Sequence, residues 1–129
     1  MPNYMLLFYA DEADAAENAR RNAERPEWME RAEELTARGV LLANGRLHAS
    51  DTATTVRVVD GETELTDGPF AVTKEILGGY FILDCRDLDH ALQQAARIPV
   101  AHYGTVEVRP QMTLEEAVQA SEEAVAAGE

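Results

Sequence analysis

Asp67-Gly68-Pro69-Phe70-Ala71-Val72-Thr73-Lys74-Glu75 has strand-like segments on both sides, and how it is read decides the fold. Asp-Gly-Pro is turn chemistry: the aspartate can hydrogen-bond local backbone, glycine supplies a special conformation and proline stiffens it. Phe70 reads as a buried aromatic, a plug in the core or in a dimer interface, with the floor of a pocket as the alternative. The polar trio Thr73, Lys74 and Glu75 follows, and then a Gly78-Gly79 pair opens the next strand. These glycines precede a strand rather than a helix, so they mark a bulge or a close backbone approach, not a phosphate cradle.

Just before this stretch is the clearest hairpin signal of the chain. Thr54–Val59 and Glu62–Thr66 are β-prone runs separated by Asp60-Gly61, a dipeptide that accepts the positive φ angles of a tight turn. Just after it, Gly79–Cys85 reads as a largely buried strand. At the start of the chain, Tyr4–Tyr9 is apolar at both parities, as in a central strand covered on both faces. Asp11–Glu24 is Ala-rich, either a helix or a mobile cover. Pro26 suits a helix start, and Trp28, Ala32 and Leu35, widened by Met29, give that helix an apolar face. Gly39 closes it. Val40–Ala43 is a second strand, and Asn44-Gly45 is a turn signal.

Toward the C-terminus, Asp87 caps a helix with Leu88, Ala91, Leu92 and Ala95 on its apolar side, and Pro99 ends it. Gly104–Arg109 alternates strictly, as a strand with one polar face does. Thr113 and Glu116 form a capping box for a last helix, over about 113–127, with Leu114, Ala117, Val118 and Val125 on one side. The order is β-α-β, hairpin, β-α-β, helix. It describes one α+β, ferredoxin-like domain spanning 1–129, with an antiparallel sheet, a core over about 1–110 and an extra C-terminal helix. Helices cover one sheet face. The other is too apolar to be left wet, so a homodimer packed through its sheets, closing an α/β-barrel between protomers, is expected.

Composition acts mainly by exclusion. Twenty-four acidic residues against 11 Lys plus Arg give a net charge of −13, which repels phosphate backbones and anionic lipid. Direct nucleic-acid binding is not expected. Cys85 is the single cysteine, so no internal disulfide forms, and its place at the end of an apolar strand reads as a buried thiol rather than a nucleophile. The longest apolar run, Tyr4–Ala10, is too short to span a bilayer and lacks the basic flank of a signal peptide, so the chain is placed in the cytoplasm.

The central stretch resembles the signature of the DGPF-domain proteins, within the wider YCII-related group. Similar too are Leu47-His48 with Ser50 to Arg57, Leu77-Gly78-Gly79-Tyr80, Ala95–Pro99 and Gly104–Pro110, so the likeness covers roughly residues 1–110. It implies a dimeric α/β-barrel of ferredoxin-like protomers. Some genes of the family lie beside extracytoplasmic-function sigma factors, which implies a regulatory link. The resemblance also implies dehydrochlorinase chemistry, seen in a few YCII-related relatives that look to use a His-Asp pair. Here Trp28 takes the place of their histidine and Ile98-Pro99 that of their Asp-Pro, so neither member carries over. Val72 replaces a common glutamate and Ala49 a common proline.

Two polar groups are candidates for chemistry. Asp67, Lys74 and Glu75 read either as a ligand clamp or as a turn with an ion pair. His48 with Asp51 has the residue types of a general base and its orienter, in a loop. The catalytic candidates are His48 as base and Asp67 as orienter or acid. Arg57, Lys74, Glu75 and Phe70 are the ligand-binding candidates, with the two cations holding an anion. The expected ligand is a small anionic or aromatic molecule. His90 reads as a surface residue, and His102 as a loop residue after Pro99, with a haem or metal ligand in a barrel mouth as the alternative. The three histidines show no ligand spacing, so no metal or cofactor is expected. Three functions stay open: acid-base turnover of a small molecule, a regulatory partner role, and a structural dimer.

Overall fold

The structure is a computed structural model and describes residues 2–128. Its elements are β1 (Asn3–Asp11), α1 (Ala15–Ala23), α2 (Arg25–Ala37), β2 (Leu41–Arg46), β3 (Thr54–Val59), β4 (Glu62–Asp67), β5 (Glu75–Asp84), α3 (Leu88–Ala96), β6 (Thr105–Pro110) and α4 (Leu114–Ala127). Short 3-10 turns occupy Ser50–Thr52 and Pro99–His102. The main sheet runs β2-β5-β1-β6, with every neighbouring pair antiparallel, and β3 and β4 form a separate two-stranded ribbon. β1 and β2 thus flank β5, while β5 and β6 flank β1. Two βαβ units interleave in this way to give the expected ferredoxin-like sheet.

Alternation along β1 sorts the sheet into two faces. Tyr4, Leu6 and Phe8 are buried, whereas Met5, Leu7 and Tyr9 are half-exposed. The buried face meets Phe81 and Leu83 of β5, Leu35 of α2, Ala91 and Ala95 of α3, and Ile98 and Val100 beyond it. Phe8, Trp28 and Phe81 pack edge to face, with ring centroids 5.1–6.1 Å apart, the arrangement that aromatic quadrupoles favour. Cys85 is fully buried, and burial pushes its thiol up, so it is inert packing rather than a nucleophile.

Local rules account for most boundaries. The Asp87 carboxylate accepts from the His90 amide at 2.8 Å, and the Thr113–Glu116 capping box is complete. Asp60 and Gly61 adopt φ of 50° and 79°, the left-handed pair of a tight hairpin turn. Asp11–Glu24 contains a true helix, capped by Asp14. Although no α1 residue is buried, Glu17 holds both Arg20 and Arg21, whose guanidinium carbons lie 4.9 and 4.5 Å from the centroid of the Tyr103 ring. The two cations sheathe this ring, and burial pushes the Tyr103 phenol up.

Four readings need correction. Asn44-Gly45 is not a turn: β2 continues through it to Arg46, because Gly45 pairs with Tyr80 and the tyrosine ring occupies the space a side chain would fill. A Cβ on Gly45 would come within 2.6 Å of that ring. β5 begins at Glu75, four residues before the expected start, with an irregularity opposite Phe8 and Tyr9 that absorbs Gly78. Met29, Leu88 and Leu92 do not face the core; each is about half exposed, and on α3 the buried positions are Ala91, Gln94 and Ala95. Phe70 is no core plug in the protomer, because 91 % of it is exposed.

Candidate functional site

Backbone register places side chains in rows across the sheet face that carries no helix. One row is Gly45, Tyr80, Leu7 and Glu107, contributed in order by β2, β5, β1 and β6. The next is Ala43, Ile82, Met5 and Arg109. A third joins Leu77, Tyr9 and Thr105, and Glu75 lies beyond it, opposite Asp11. The result is an apolar centre of Met5, Leu7, Tyr80 and Ile82, with a polar border along β6 and the start of β5.

Two side-chain bonds organise that border. Thr105 donates its hydroxyl to the Glu75 carboxylate, at 2.9 Å from each oxygen. Tyr9 donates its phenol to Glu107 Oε1 at 3.5 Å, a long bond that leaves the carboxylate free to accept from a ligand. Arg109 lies one row away on the same strand and is in no ion pair among the described residues. The face therefore offers an apolar bed for a ring, a guanidinium for an anion, and a phenol and a carboxylate able to hydrogen-bond a bound hydroxyl or acid.

The predicted site residues are spread over other places. Glu75 alone among them reaches this face with a bonded side chain. His48 is exposed in the loop after β2, and Asp51 is exposed in the following 3-10 turn. Asp67 ends β4, exposed, opposite Thr54. Among the described residues no hydrogen bond or ion pair joins His48, Asp51, Asp67, Lys74 or Arg57 to one another. Arg57 lies directly across from Glu64 on the ribbon. Within the central stretch the glycine carries the architecture. Gly68, at φ 97°, donates its N–H to Ala53 O at 2.7 Å and accepts from Thr55 Oγ1 at 2.8 Å. This ties the end of β4 to the start of β3.

His102 is exposed at the end of its 3-10 turn, and Nδ1 of the half-buried His90 accepts from the Arg86 amide at 3.4 Å. Among the described residues no group of three His, Cys, Asp or Glu side chains could hold a metal ion. Among the described residues no helix is long and apolar enough to cross a membrane. Sequence reasoning missed the Tyr9–Glu107 and Thr105–Glu75 pairs. The signal for one partner of each was present: the strict alternation over 104–109 puts Thr105, Glu107 and Arg109 on one face of β6.

Comparison with known proteins agrees with the architecture. The model of the YCII-related domain matches residues 3–115. An uncharacterised protein of Rhizobium meliloti (strain 1021) is 36 % identical over 111 residues, which cover 83 % of this chain and 90 % of that one.

Proposed function

The chain belongs to the YCII-related family, and from that premise we propose that it is a homodimer which binds a small aromatic or anionic molecule between its two sheets. One observation carries the reading: the uncovered sheet face joins an apolar centre to the Tyr9–Glu107 pair, the Thr105–Glu75 pair and Arg109. A face of half-exposed Met5, Leu7, Tyr80 and Ile82 is stabilised by covering, and a second copy of the same face is self-complementary in the way a two-fold dimer requires. Closure would desolvate the polar border and strengthen its hold on charge. Acid-base turnover then falls to Glu107 with Tyr9, and His48 enters only if dimerisation brings the 47–52 loop to the pocket. The Asp67–Phe70 run supports the DGPF subgroup.

Calorimetric titration with small phenols and aromatic carboxylates tests the binding. Saturable binding that Arg109→Ala weakens about tenfold, the loss expected of one charge-assisted contact, supports the reading. Equal binding by Arg109→Ala and Glu107→Gln would remove this site.

A second reading rests on α4. Leu114, Val118 and Val125 are 81, 50 and 68 % exposed along one side of a helix whose charged residues, Glu115, Glu116, Glu122 and Glu123, are all acidic. Such a face supports a regulatory role toward a protein partner with a basic, apolar groove, an extracytoplasmic-function sigma factor being the class the resemblance names. Interferometry against a purified sigma factor of the same genome tests it. Binding lost in Val118→Asp supports the role, and no binding by the wild type removes it.

A further inference from the structure

The β3–β4 ribbon is amphipathic. Cross-strand partners share a face, so Val56 with Leu65 and Val58 with Thr63 lie on one side, while Arg57 with Glu64 and Val59 with Glu62 lie on the other. Val56, Val58 and Leu65 are 60–68 % exposed. An isolated two-stranded ribbon is marginal in water, and this one leaves its apolar side bare. The Gly68–Lys74 segment that follows continues the pattern. Phe70 and Val72 are 91 and 98 % exposed, and Lys74 is the segment's single charge. Ribbon and segment enter the sheet through Glu75, at the border of the candidate site.

We infer that the ribbon and the Gly68–Lys74 segment are an arm that lies on the sheet face of a second copy, so that Phe70 and Lys74 of one protomer complete the ligand site of the other. This inference rests on the sheet-to-sheet dimer proposed above. Size argues for it. Four strands at ~4.8 Å spacing with six residues each at ~3.3 Å give a face of roughly 400 Å². A stable interface buries about 800 Å² of accessible surface on each partner, a quantity larger than the flat footprint of the same patch, so each added apolar element moves the face toward that area. The apolar side of the ribbon adds roughly 200 Å² by the same geometry, and the segment adds more. Charge argues for it too. The segment is apolar and cationic, whereas the receiving face is apolar and carries Glu75 and Glu107 at its border. Among the described residues Lys74 is in no ion pair, and Glu107 has only the Tyr9 phenol as a side-chain partner. The resulting site has Tyr9, Tyr80, Glu107 and Arg109 from one chain, roofed by the partner's Phe70, with the partner's Lys74 beside the carboxylate.

Crosslinking between differently tagged chains tests the arm. Lys74→Cys in one chain and Glu107→Cys in the other replace exposed polar side chains, and the native Cys85 is buried. The mixed proteins are treated with a short bis-maleimide, and light scattering gives the molar mass of each sample. The expected result is a dimer that yields a covalent Lys74→Cys/Glu107→Cys heterodimer, together with a Phe70→Asp variant whose self-association is about tenfold weaker, as for loss of an interface anchor. A dimer without the crosslink, or a double variant that crosslinks only within its own chain, overturns the arm and leaves the dimer standing. A wild type at the mass of one chain overturns both.

Discussion

At the scale of single residues, this fold depends most on positions where nothing fits. Gly104 is one. A Cβ there would stand 2.1 Å from the Tyr9 carbonyl, where the chain enters β6 against β1. Backbone cannot yield as a side chain tip can, so Gly104→Ala is expected to destabilise by about 1–3 kcal/mol in urea unfolding. Gly45→Ala is expected to cost less, because the group it meets is the Tyr80 ring, which can swing away over the open face. Should the two cost the same, the strand contact at Gly104 is looser than described. His48 is the opposite case. It is exposed and bonded to nothing among the described residues, so His48→Ala should leave stability within about 0.5 kcal/mol. A larger loss by thermal unfolding would mean that the loop packs on something in the assembled protein. Residue-level reading of the sequence placed Cys85 and Asp87 well, since burial and capping are local properties. It left Phe70 between the core and a dimer interface, and its 91 % exposure excludes only the core of the protomer, because apolarity alone does not say where a side chain is covered.

Among elements, α1 and α2 contrast in how they are held. α2 contributes Trp28 and Leu35 to the core, and Trp28 joins the Phe8–Phe81 cluster. Trp28→Ala removes the edge of this cluster and is expected to cost about 3 kcal/mol. α1 has no buried residue and is held by Glu17, Arg20, Arg21 and Tyr103. The Arg20 guanidinium, hydrogen-bonded to Glu17, holds the carboxyl at about 2, well below its ordinary 4.5. The ionised form is therefore the one the fold favours. Its contribution is complete above the ordinary value and fades as pH falls from about 4.5 toward about 2. Protection of the α1 amides, taken as exchange relative to the intrinsic rate at each pH, should fall over that window, and Glu17→Gln should remove most of that fall. Unchanged protection would show that α1 is held by other contacts, which its Ala-rich sequence did not disclose. Elements with strong local signals, the Asp60-Gly61 hairpin and the Thr113–Glu116 cap, were legible in sequence. The path of β2 through Asn44-Gly45 was not, because the deciding contact comes from Tyr80, thirty-five positions away.

For the whole molecule, the order of elements was enough to give the interleaved βαβ topology, and the apolar pattern of the strands led to the expectation of cover on both sheet faces. The protomer covers one. The candidate site was only partly legible for the same reason. Alternation along 104–109 exposes which residues share a face, but the pairing of Tyr9 with Glu107 and of Thr105 with Glu75 depends on strand register across the sheet. We read the open face as a dimer interface enclosing a site. Light scattering at micromolar concentration, with wild type and Leu7→Asp side by side, decides it. Leu7 sits in the middle of the face, between Tyr80 and Glu107, and its replacement leaves the helix-covered core intact. Wild type is expected at twice the chain mass and Leu7→Asp at the mass of a single folded chain. A monomeric wild type, or a Leu7→Asp protein that remains a dimer, would contradict that reading.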